Sequence, residues 1–509
     1  MTAEGHTVLA SALKYALALM FVAAIPALAD ASARHKTPAP AAKSDLQVFA
    51  FPGPIRYDHH NDDYTVRVRV PGGEWQDLYE YNVTVDWDKP QKDASMVYFN
   101  FTGPVEVAVQ KNNGTFRDVA IRPTSKGIKS TSRDGIVYFT LTKPENLSVE
   151  FDGDHLHNLH IFTQGIRHDL PVTPVTGTSY DIGVGVNPDL AQKVVYFGPG
   201  IFTPADADGV FHIRSNSTVY VDGSAIIKGG FKLDGVENVT IVSDGLFDSN
   251  NMLEIQNSKN VVIDGPIFFN QLHGTLRCLT SENIQLKNIR TIGGGQWSDG
   301  LGNFACKHVT ISDSFVRTSD DSITIYNHRW DTYGDSSDIT VKDTTLWADV
   351  AHAAFMGIHG NTPSPAHPDP EVIENVRFSN IDILDEDEDE PEYEGAIGIT
   401  AGDDNLIRNI TFEDIRVERI EEGKLFNFHV GFNAKYNTSP GRGIDGVTLR
   451  NISFTGKGSP GASVIFGYDD SRGVQNIHLD NVTVAGKKIL GPAPGVLDIG
   501  EHVSGVTYK

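Results

Sequence analysis

Short strands recur through the second part of the chain, each with apolar residues on both sides of one middle residue. After a first strand at Val194, they lie at 219–221, 239–241, 261–263, 284–286, 309–311, 339–341, 376–378, 410–412, 447–449 and 477–479. From 219 onward, the first residues of neighbouring strands are 20 to 37 positions apart. A minimum period with insertions of variable length is typical of a solenoid, in which each repeat stacks on the previous one. We therefore predict one coil of a right-handed parallel β-helix per repeat, with about ten coils.

The preceding part of the chain has a different rhythm. Between Leu46 and Phe162, apolar and polar residues alternate in segments separated by charged turns, for example at 64–70, 96–101 and 136–141. Alternation of period two with frequent turns is typical of an antiparallel sandwich. The sequence thus predicts an all-β protein with a β-sandwich domain at 46–185 and a β-helix domain at 186–509.

The first residues have the pattern of a targeting segment. An apolar run at 15–29 follows Lys14 and ends in Ala27-Leu28-Ala29, a small-x-small cleavage pattern. We predict a signal peptide at 1–29, a linker at 30–45 and a secreted or periplasmic protein. A membrane anchor is the alternative, but Pro26 interrupts the run, and a membrane span needs about 20 apolar residues.

Charge narrows the possible partners. The chain has 42 Lys and Arg against 66 Asp and Glu, a net charge of −24. Such a surface repels nucleic acid and anionic lipid. We expect a monomer that uses no metal or cofactor and binds neither nucleic acid nor membrane. The two cysteines, Cys278 and Cys306, leave open whether the chain has one disulfide or two buried thiols.

Ionisable side chains concentrate in three neighbouring coils. Asp299 lies 15 residues after the start of its coil at Ile284, Asp321 lies 12 after Val309, and His352 lies 13 after Ile339. Similar offsets place these residues on one side of the helix, where adjacent parallel strands are ~4.8 Å apart. Stacked carboxylates repel each other, and a raised pKa is what a general acid requires.

Turn chemistry is the plainer explanation for a single corner Asp, as at Asp234 or Asp244. An adjacent pair, Asp320-Asp321, with a third Asp one coil earlier and His352 one coil later favours a catalytic site. Five further residues are candidates for substrate contact, with packing as the alternative for the aromatic ones: Trp297, Tyr326, His328, His359 and Asp403. Trp330 and Trp347 also lie near the cluster in sequence. The acidic run 385–394 is predicted to be a solvated loop, with a cation site as the alternative.

The spacing of the carboxylates resembles a known signature. Ser298-Asp299-Gly300 followed by Asp320-Asp321-Ser322-Ile323 is similar to the active-site pattern of glycoside hydrolase families 28 (polygalacturonases) and 49 (dextranases), which have pectate-lyase-like β-helices. A sandwich before the helix is the family 49 architecture. The resemblance implies an inverting hydrolase in which Asp320 is the general acid and Asp299 and Asp321 activate water. It also implies that His352 holds a carboxylate or a substrate hydroxyl.

The chain departs from family 28 at two places. Ala351 and Ala353 flank His352 where that family has glycines, and Gly398-Ile399-Thr400 stands where it has an Arg-Ile-Lys segment that binds a uronate. Because no basic residue is expected near the cluster, we predict a secreted glycosidase acting on a neutral α-glucan, as dextranases do. The alternatives are a polygalacturonase-like pectin hydrolase, a polysaccharide lyase and a non-catalytic glycan-binding solenoid.

Overall fold

The computed structural model describes residues 44–88, 90, 92–168, 170, 182–248 and 251–509. Residues 43–509 group into one compact unit. The predicted signal peptide at 1–29 and almost all of the predicted linker lie outside the described residues. Among the helices that are described, none is long and apolar enough to span a membrane.

The first part of the described chain forms two sheets that face each other. One sheet has six strands, and apart from the parallel pair Lys92–Thr102 and Leu159–Gln164 its neighbours are antiparallel. Its strands are Asp45–Gln47, Tyr81–Val85, Lys92–Thr102, Val119–Arg122, Leu147–Phe151 and Leu159–Gln164. The second sheet is antiparallel, with strands Tyr64–Arg69, Gln76–Asp77, Val105–Lys111, Ser130–Arg133 and Ile136–Leu141. Short 3-10 helices occupy Gly53–Ile55 and Thr124–Lys126. Apolar side chains of both sheets form one core, which confirms the predicted sandwich.

The second part is a parallel β-helix. Twenty strands wind into one sheet: Val194–Phe197, Gly200–Phe202, Thr218–Val221, Ala225–Ile227, Glu237–Ser243, Leu246–Asp248, Lys259–Asp264, Ile267–Gln271, Glu282–Lys287, Arg290–Gly293, Lys307–Ser312, Phe315–Thr318, Ser336–Ala348, Val372–Asp385, Leu406–Arg419, Gly443–Lys457, Val474–Val484, Lys487–Lys488, Val503–Ser504 and Thr507–Tyr508.

Eleven strands form the other sheet of the helix: Val210–His212, Gly230–Asp234, Leu253–Gln256, Leu276–Leu279, Leu301–Phe304, Ile323–Tyr326, Ala354–Gly357, Ile397–Ala401, Phe426–Val430, Ser463–Phe466 and Leu497–Ile499. Each coil contributes one strand to this sheet, so successive coils stack in parallel. The predicted all-β class is confirmed, as is the right-handed parallel β-helix after a sandwich. Connections between parallel strands of one sheet are right-handed as a rule.

The register agrees with the repeat over most of the helix. Val239 pairs with Val261, Val261 with Ile284, and Ile284 with Val309, and the same one-coil step continues to Ile477. At the first coils the register differs from the repeat by one or two residues, because Val219 pairs with Val195 and with Ile241. The inward apolar residues of each coil form one continuous core.

Asparagines shape one corner of the helix. Asn238, Asn260 and Asn283 have φ between 56° and 57°, a left-handed conformation that Asn tolerates better than most residues. The side-chain amide of each donates to the side-chain oxygen of the Asn one coil earlier, at 3.0 to 3.1 Å. The recurrent Asn in the sequence is therefore a hydrogen-bonded ladder that fixes this turn.

The sandwich packs against the side of the helix. Phe162, Tyr81 and other sandwich residues share an apolar cluster with Phe269, Phe315 and Trp347 of the helix. Trp347 is fully buried there, and its ring lies 3.9 Å from Cζ of Arg317. Trp347 thus belongs to this interface, which corrects its place among the aromatic candidates near the cluster. Residues 169 and 171–181 are not among the described residues. The predicted boundary at 185 between the sandwich and the β-helix therefore stays a prediction.

Candidate active site

The predicted ionisable residues occupy the same corner of successive coils, where the chain passes from the twenty-stranded sheet to the eleven-stranded one. Asp299 lies in the first of these turns, Asp320 and Asp321 in the second, and His352 in the third. The flanking strands, in coil order, are Arg290–Gly293 and Leu301–Phe304, Phe315–Thr318 and Ile323–Tyr326, and Ser336–Ala348 and Ala354–Gly357. The sandwich reaches this corner too, because the N–H of Trp87 donates to Oγ of Ser319 at 3.2 Å.

The three carboxylates converge. One oxygen of each of Asp299, Asp320 and Asp321 lies within 4.8 Å of the other two. Burial and the charges of Asp299 and Asp321 raise the pKa of Asp320 well above its ordinary value. Burial and the charge of Asp321 raise the pKa of Asp299 to about 7. Asp320 is therefore the carboxyl most disposed to keep its proton at neutral pH.

Asp321 is held by three donors. The Tyr326 hydroxyl donates to its Oδ2 at 3.0 Å, and the main-chain N–H of His352 donates to its Oδ1 at 3.2 Å. Nδ1 of His352 lies 2.7 Å from the same Oδ1. These contacts fix the direction of the carboxylate. By contrast, no donor among the described residues hydrogen-bonds to the Asp299 carboxylate.

His352 faces acceptors on both sides of its ring. Nδ1 faces Asp321, and Nε2 lies 2.7 Å from the main-chain oxygen of Tyr393, which can only accept. Burial disfavours the charged ring, but the Asp321 carboxylate outweighs this effect and raises the pKa of His352 to about 10. His352 is thus an imidazolium that bridges the second and fourth coils of the site.

The acidic run 385–394 is not a solvated loop throughout. Glu386 is 0% exposed and Glu388 is buried as well. Oε2 of Glu386 accepts the N–H of Ala353 at 3.1 Å, and Oε2 of Glu388 lies 3.7 Å from Nδ1 of His352. The run follows strand Val372–Asp385 and occupies, in the fourth coil, the corner that carries the three Asp residues and His352. The prediction was wrong for these two residues because the insertion folds back on the site.

Two arginines lie beside the carboxylates. Arg277 and Arg329 both oppose the rise in the pKa of Asp299. Their Cζ atoms lie 4.6 Å and 5.1 Å from the centre of the Trp330 ring, and neither forms an ion pair with a carboxylate among the described residues. The expectation that no basic residue accompanies the cluster was therefore wrong. Arg277 was missed because it projects from the neighbouring strand Leu276–Leu279 rather than from a corner.

The other predicted contact residues have diverse surroundings. Trp297 is 57% exposed and stacks on His273 with ring centres 5.5 Å apart, whereas Tyr326 is only 8% exposed. The His359 ring meets Tyr326 edge to face at 5.1 Å, and burial and the charge of Arg329 lower its pKa to about 3.

His328 and Asp403 make contacts outside the three carboxylates. Nδ1 of His328 lies 2.7 Å from the main-chain oxygen of Thr332, and its ring stacks on Tyr333. Oδ1 of Asp403 accepts the main-chain N–H and the hydroxyl of Thr438. Asp403 therefore ties its turn to the loop of the next coil that carries Thr438.

Two further residues at this corner, Glu388 and His273, were not predicted, although their positions within their coils identify them. Glu388 lies 388 − 376 = 12 residues after the start of its coil, and His273 lies 273 − 261 = 12 after its own. These offsets match that of Asp321. A position 12 to 15 residues after the start of a coil thus identifies residues of this corner, including those in the coils before and after the three carboxylates.

Two other clusters of acidic residues and histidine occur among the described residues. His155, Asp385 and Glu421 lie close together, but Asp385 already accepts from Arg419 at 2.9 Å. Asp206, Asp208 and His212 are exposed. We assign no metal to either cluster or to the three carboxylates. A cavity of about 1240 Å³ lies in the sandwich, lined by residues such as Tyr57, Trp75 and Tyr79, and does not include the carboxylates.

Cys278 and Cys306 form a disulfide, with their Cα atoms 6.3 Å apart. The residues between them include the turn that carries Asp299. The bond thus answers the question that the sequence left open, and it ties together the two coils next to the first carboxylate.

No protein-family model matches the chain, and no curated protein matches its sequence. Among solved structures, Dex49A from Penicillium minioluteum, a family 49 dextranase, has a TM-score of 0.51 at 16% identity, over 87% of this chain and 92% of that one. Endo-xylogalacturonan hydrolase from Aspergillus tubingensis gives 0.41 at 14% identity, over 60% of this chain and 92% of that one. A family 28 exopolygalacturonase from Yersinia enterocolitica gives 0.42 at 10% identity, over 84% and 97%. The chain has a fold found in polysaccharide hydrolases.

Proposed function

We propose that the protein is an inverting glycoside hydrolase that cleaves a polysaccharide. The observation that carries the proposal is the convergence of three carboxylates in one corner, where burial and mutual repulsion raise the pKa values of Asp299 and Asp320. Asp320 keeps its proton and donates it to the leaving glycosidic oxygen. Asp299 and Asp321 activate the water that attacks the anomeric carbon.

The spacing of the carboxylates supports a shared water. Acid and base are usually about 6.5–9.5 Å apart in inverting enzymes and about 5–5.5 Å in retaining ones. One oxygen of each carboxylate lies within 4.8 Å of the others, below the inverting range and nearer to the retaining one, so the proposal of inversion depends on how water is bound. Two O–H···O hydrogen bonds of about 2.7 Å span about 5.4 Å, so one water can bind Asp299 and Asp321 together. Both oxygens of Asp321 already accept hydrogen bonds, which fixes the direction of its carboxylate toward such a water.

The same geometry supports a positioning role for two residues and a binding role for others. Tyr326 and His352 position Asp321 through the hydrogen bonds described above. Trp297 is 57% exposed in the turn that carries Asp299, and Trp330 is 53% exposed beside Arg277 and Arg329. Flat apolar rings of this kind stack on sugars. We propose them as sugar-binding platforms, with His328 and His359 at the margin of the site.

A neutral α-glucan is our first candidate substrate. Gly398 stands beside His352 on the eleven-stranded sheet, and the segment Gly398-Ile399-Thr400 itself carries no cation for a uronate. Arg277 and Arg329 are accounted for as counter-charges of Asp299. The fold likeness to Dex49A agrees with this choice.

A polyuronate is the second candidate, and the two arginines favour it. Neither has a carboxylate partner of its own among the described residues, so a substrate carboxylate could provide one. The same cations also supply what a lyase needs, a positive group beside the uronate.

One assay separates these possibilities. The protein is incubated in parallel with dextran, pullulan and polygalacturonate, and both reducing ends and ultraviolet absorbance are followed. Reducing ends from a glucan without absorbance support the first candidate, and reducing ends from polygalacturonate alone support the second. Unsaturated, absorbing products would identify a lyase and overturn the hydrolase. Binding without cleavage of any polymer would support a non-catalytic solenoid.

A further inference from the structure

The buried end of the acidic insertion lies directly behind His352. Glu388 approaches Nδ1 of the ring at 3.7 Å, and its other oxygen, Oε1, accepts the N–H of Glu390 at 2.7 Å. The main-chain oxygen of Tyr393, from the same insertion, lies 2.7 Å from Nε2 of the ring. Glu386 fixes the adjoining peptide by accepting the N–H of Ala353. Three residues of one insertion thus surround a single imidazole.

A buried carboxylate is costly unless a cation or donors compensate it. Glu388 is 8% exposed, and within the described part of the chain its ion-pair partner is the His352 ring. The same ring nitrogen, Nδ1, contacts Oδ1 of Asp321 at 2.7 Å. Two carboxylates, one from the insertion and one from the cleft, thus face one nitrogen of His352.

We propose that Glu388 and Glu386 are positioning residues that hold His352 as an imidazolium against Asp321. The inference rests on the proposed function, because the role of this contact would be to hold the water-activating Asp321 in its catalytic direction. Glu388 acts through charge, and Glu386 acts through the Ala353 peptide. Neither residue touches the substrate.

The ionisation of His352 depends on every charged or titratable group that faces it. These are Asp320 and Asp321 from the second coil, Glu386 and Glu388 from the insertion, and His429 from the next coil. The stacked Phe355 ring, 4.1 Å away, excludes water from one face. Removing the Glu388 charge alone leaves the Asp321 contact intact, so its effect is separable.

The test measures the protonation of His352 directly. Protein labelled with ¹⁵N at its histidines is titrated by NMR, and the His352 signals are assigned by their loss in His352→Gln. We expect wild type to keep an imidazolium at pH 8, and Glu388→Gln to lower its titration midpoint by about one pH unit or more. The matched control is Asp389→Asn, which removes an exposed charge from the same insertion and should leave the midpoint unchanged.

A neutral His352 at pH 8 in wild type, or an unchanged midpoint in Glu388→Gln, overturns the proposal. If Glu388→Gln does not fold, Glu388→Asp takes its place in the titration. This variant keeps the charge but moves it away from the ring, so the His352 midpoint must fall, by less than the one pH unit expected for Glu388→Gln. No fall overturns the proposal. On a cleaved polymer, Glu388→Gln should lower kcat about tenfold with little change in KM, and Glu388→Asp should restore part of it. A wild type that cleaves nothing contradicts the proposed function but leaves the NMR result readable.

Discussion

Nδ1 of His352 lies 2.7 Å from Oδ1 of Asp321, although 31 positions separate the two residues. The contact joins the second and third coils of the site at their common corner. It gives Asp321 a cation and a fixed direction, while Asp320, next to it in sequence, is left to keep a proton. On the proposed function, two adjacent Asp residues thus take opposite roles because their surroundings differ.

The first prediction concerns stereochemistry. Proton NMR of the first product formed should show the anomer opposite to that of the cleaved bond, because one water attacks from the side of Asp299 and Asp321. Retention would mean that a carboxylate forms a bond to the sugar and would remove the base roles assigned here.

The pH dependence of kcat/KM should be bell-shaped with its ascending limb near pH 7. Asp299 must lose its proton to act as a base, and its pKa is raised to about 7, so activity increases as the pH rises through that value. The descending limb, at higher pH, reports loss of the Asp320 proton. Arg277→Met should move the ascending limb upward, since Arg277 opposes the rise in the pKa of Asp299. A limb near pH 4 that Arg277→Met leaves in place would contradict this assignment.

Asp299→Asn should stabilise the protein at neutral pH. The folded pKa of about 7 lies above the ordinary value of 3.8, so ionisation disfavours the folded state increasingly from pH 3.8 to 7 and by a constant amount above. The amide removes this cost. We expect the free energy of unfolding to rise by ~2 kcal/mol at pH 8, with the partial exposure of Asp299 reducing the full effect, and to change little at pH 3.5. Denaturant titrations at both pH values measure the difference, and a loss of stability at pH 8 would refute it.

Removal of the disulfide should destabilise the protein. The bond joins residues 28 positions apart, and a loop of this length contributes ~3 kcal/mol by constraining the unfolded chain. The double variant Cys278→Ser, Cys306→Ser should therefore unfold at lower denaturant concentration than wild type. An unchanged midpoint would show that the bond does not contribute to stability. Loss of activity before global unfolding would locate the first disorder near Asp299.

Much of the fold follows from the repeat alone. From Val239 to Ile477, the residues picked out by their apolar pattern pair one coil apart in the structure, because a parallel stack must align equivalent positions. The same logic brought Asp299, Asp321 and His352 to one corner. Their sequence offsets differed by up to three residues, which the turns absorb.

The remaining features depend on contacts that no repeat encodes. Arg277 reaches the site from inside a strand through a long side chain, and Glu388 is buried because an insertion folds back against the coil before it. Trp347 was expected near the cluster, but the sandwich covers the outer face of its strand. In each case a neighbouring part of the chain determines the surroundings of the residue.

The central claim is that Asp320 is the proton donor, and the direct measurement is the turnover of Asp320→Asn on the polymer that the wild type cleaves. Asp313→Asn, at a turn of the same coil that lies outside the site, is the matched control and should keep wild-type turnover. General acid catalysis contributes ~10²–10⁴-fold, so Asp320→Asn should retain less than about a hundredth of the wild-type kcat while its circular dichroism and unfolding midpoint show a folded protein. A folded Asp320→Asn that keeps more than about a tenth of the wild-type kcat would contradict the account.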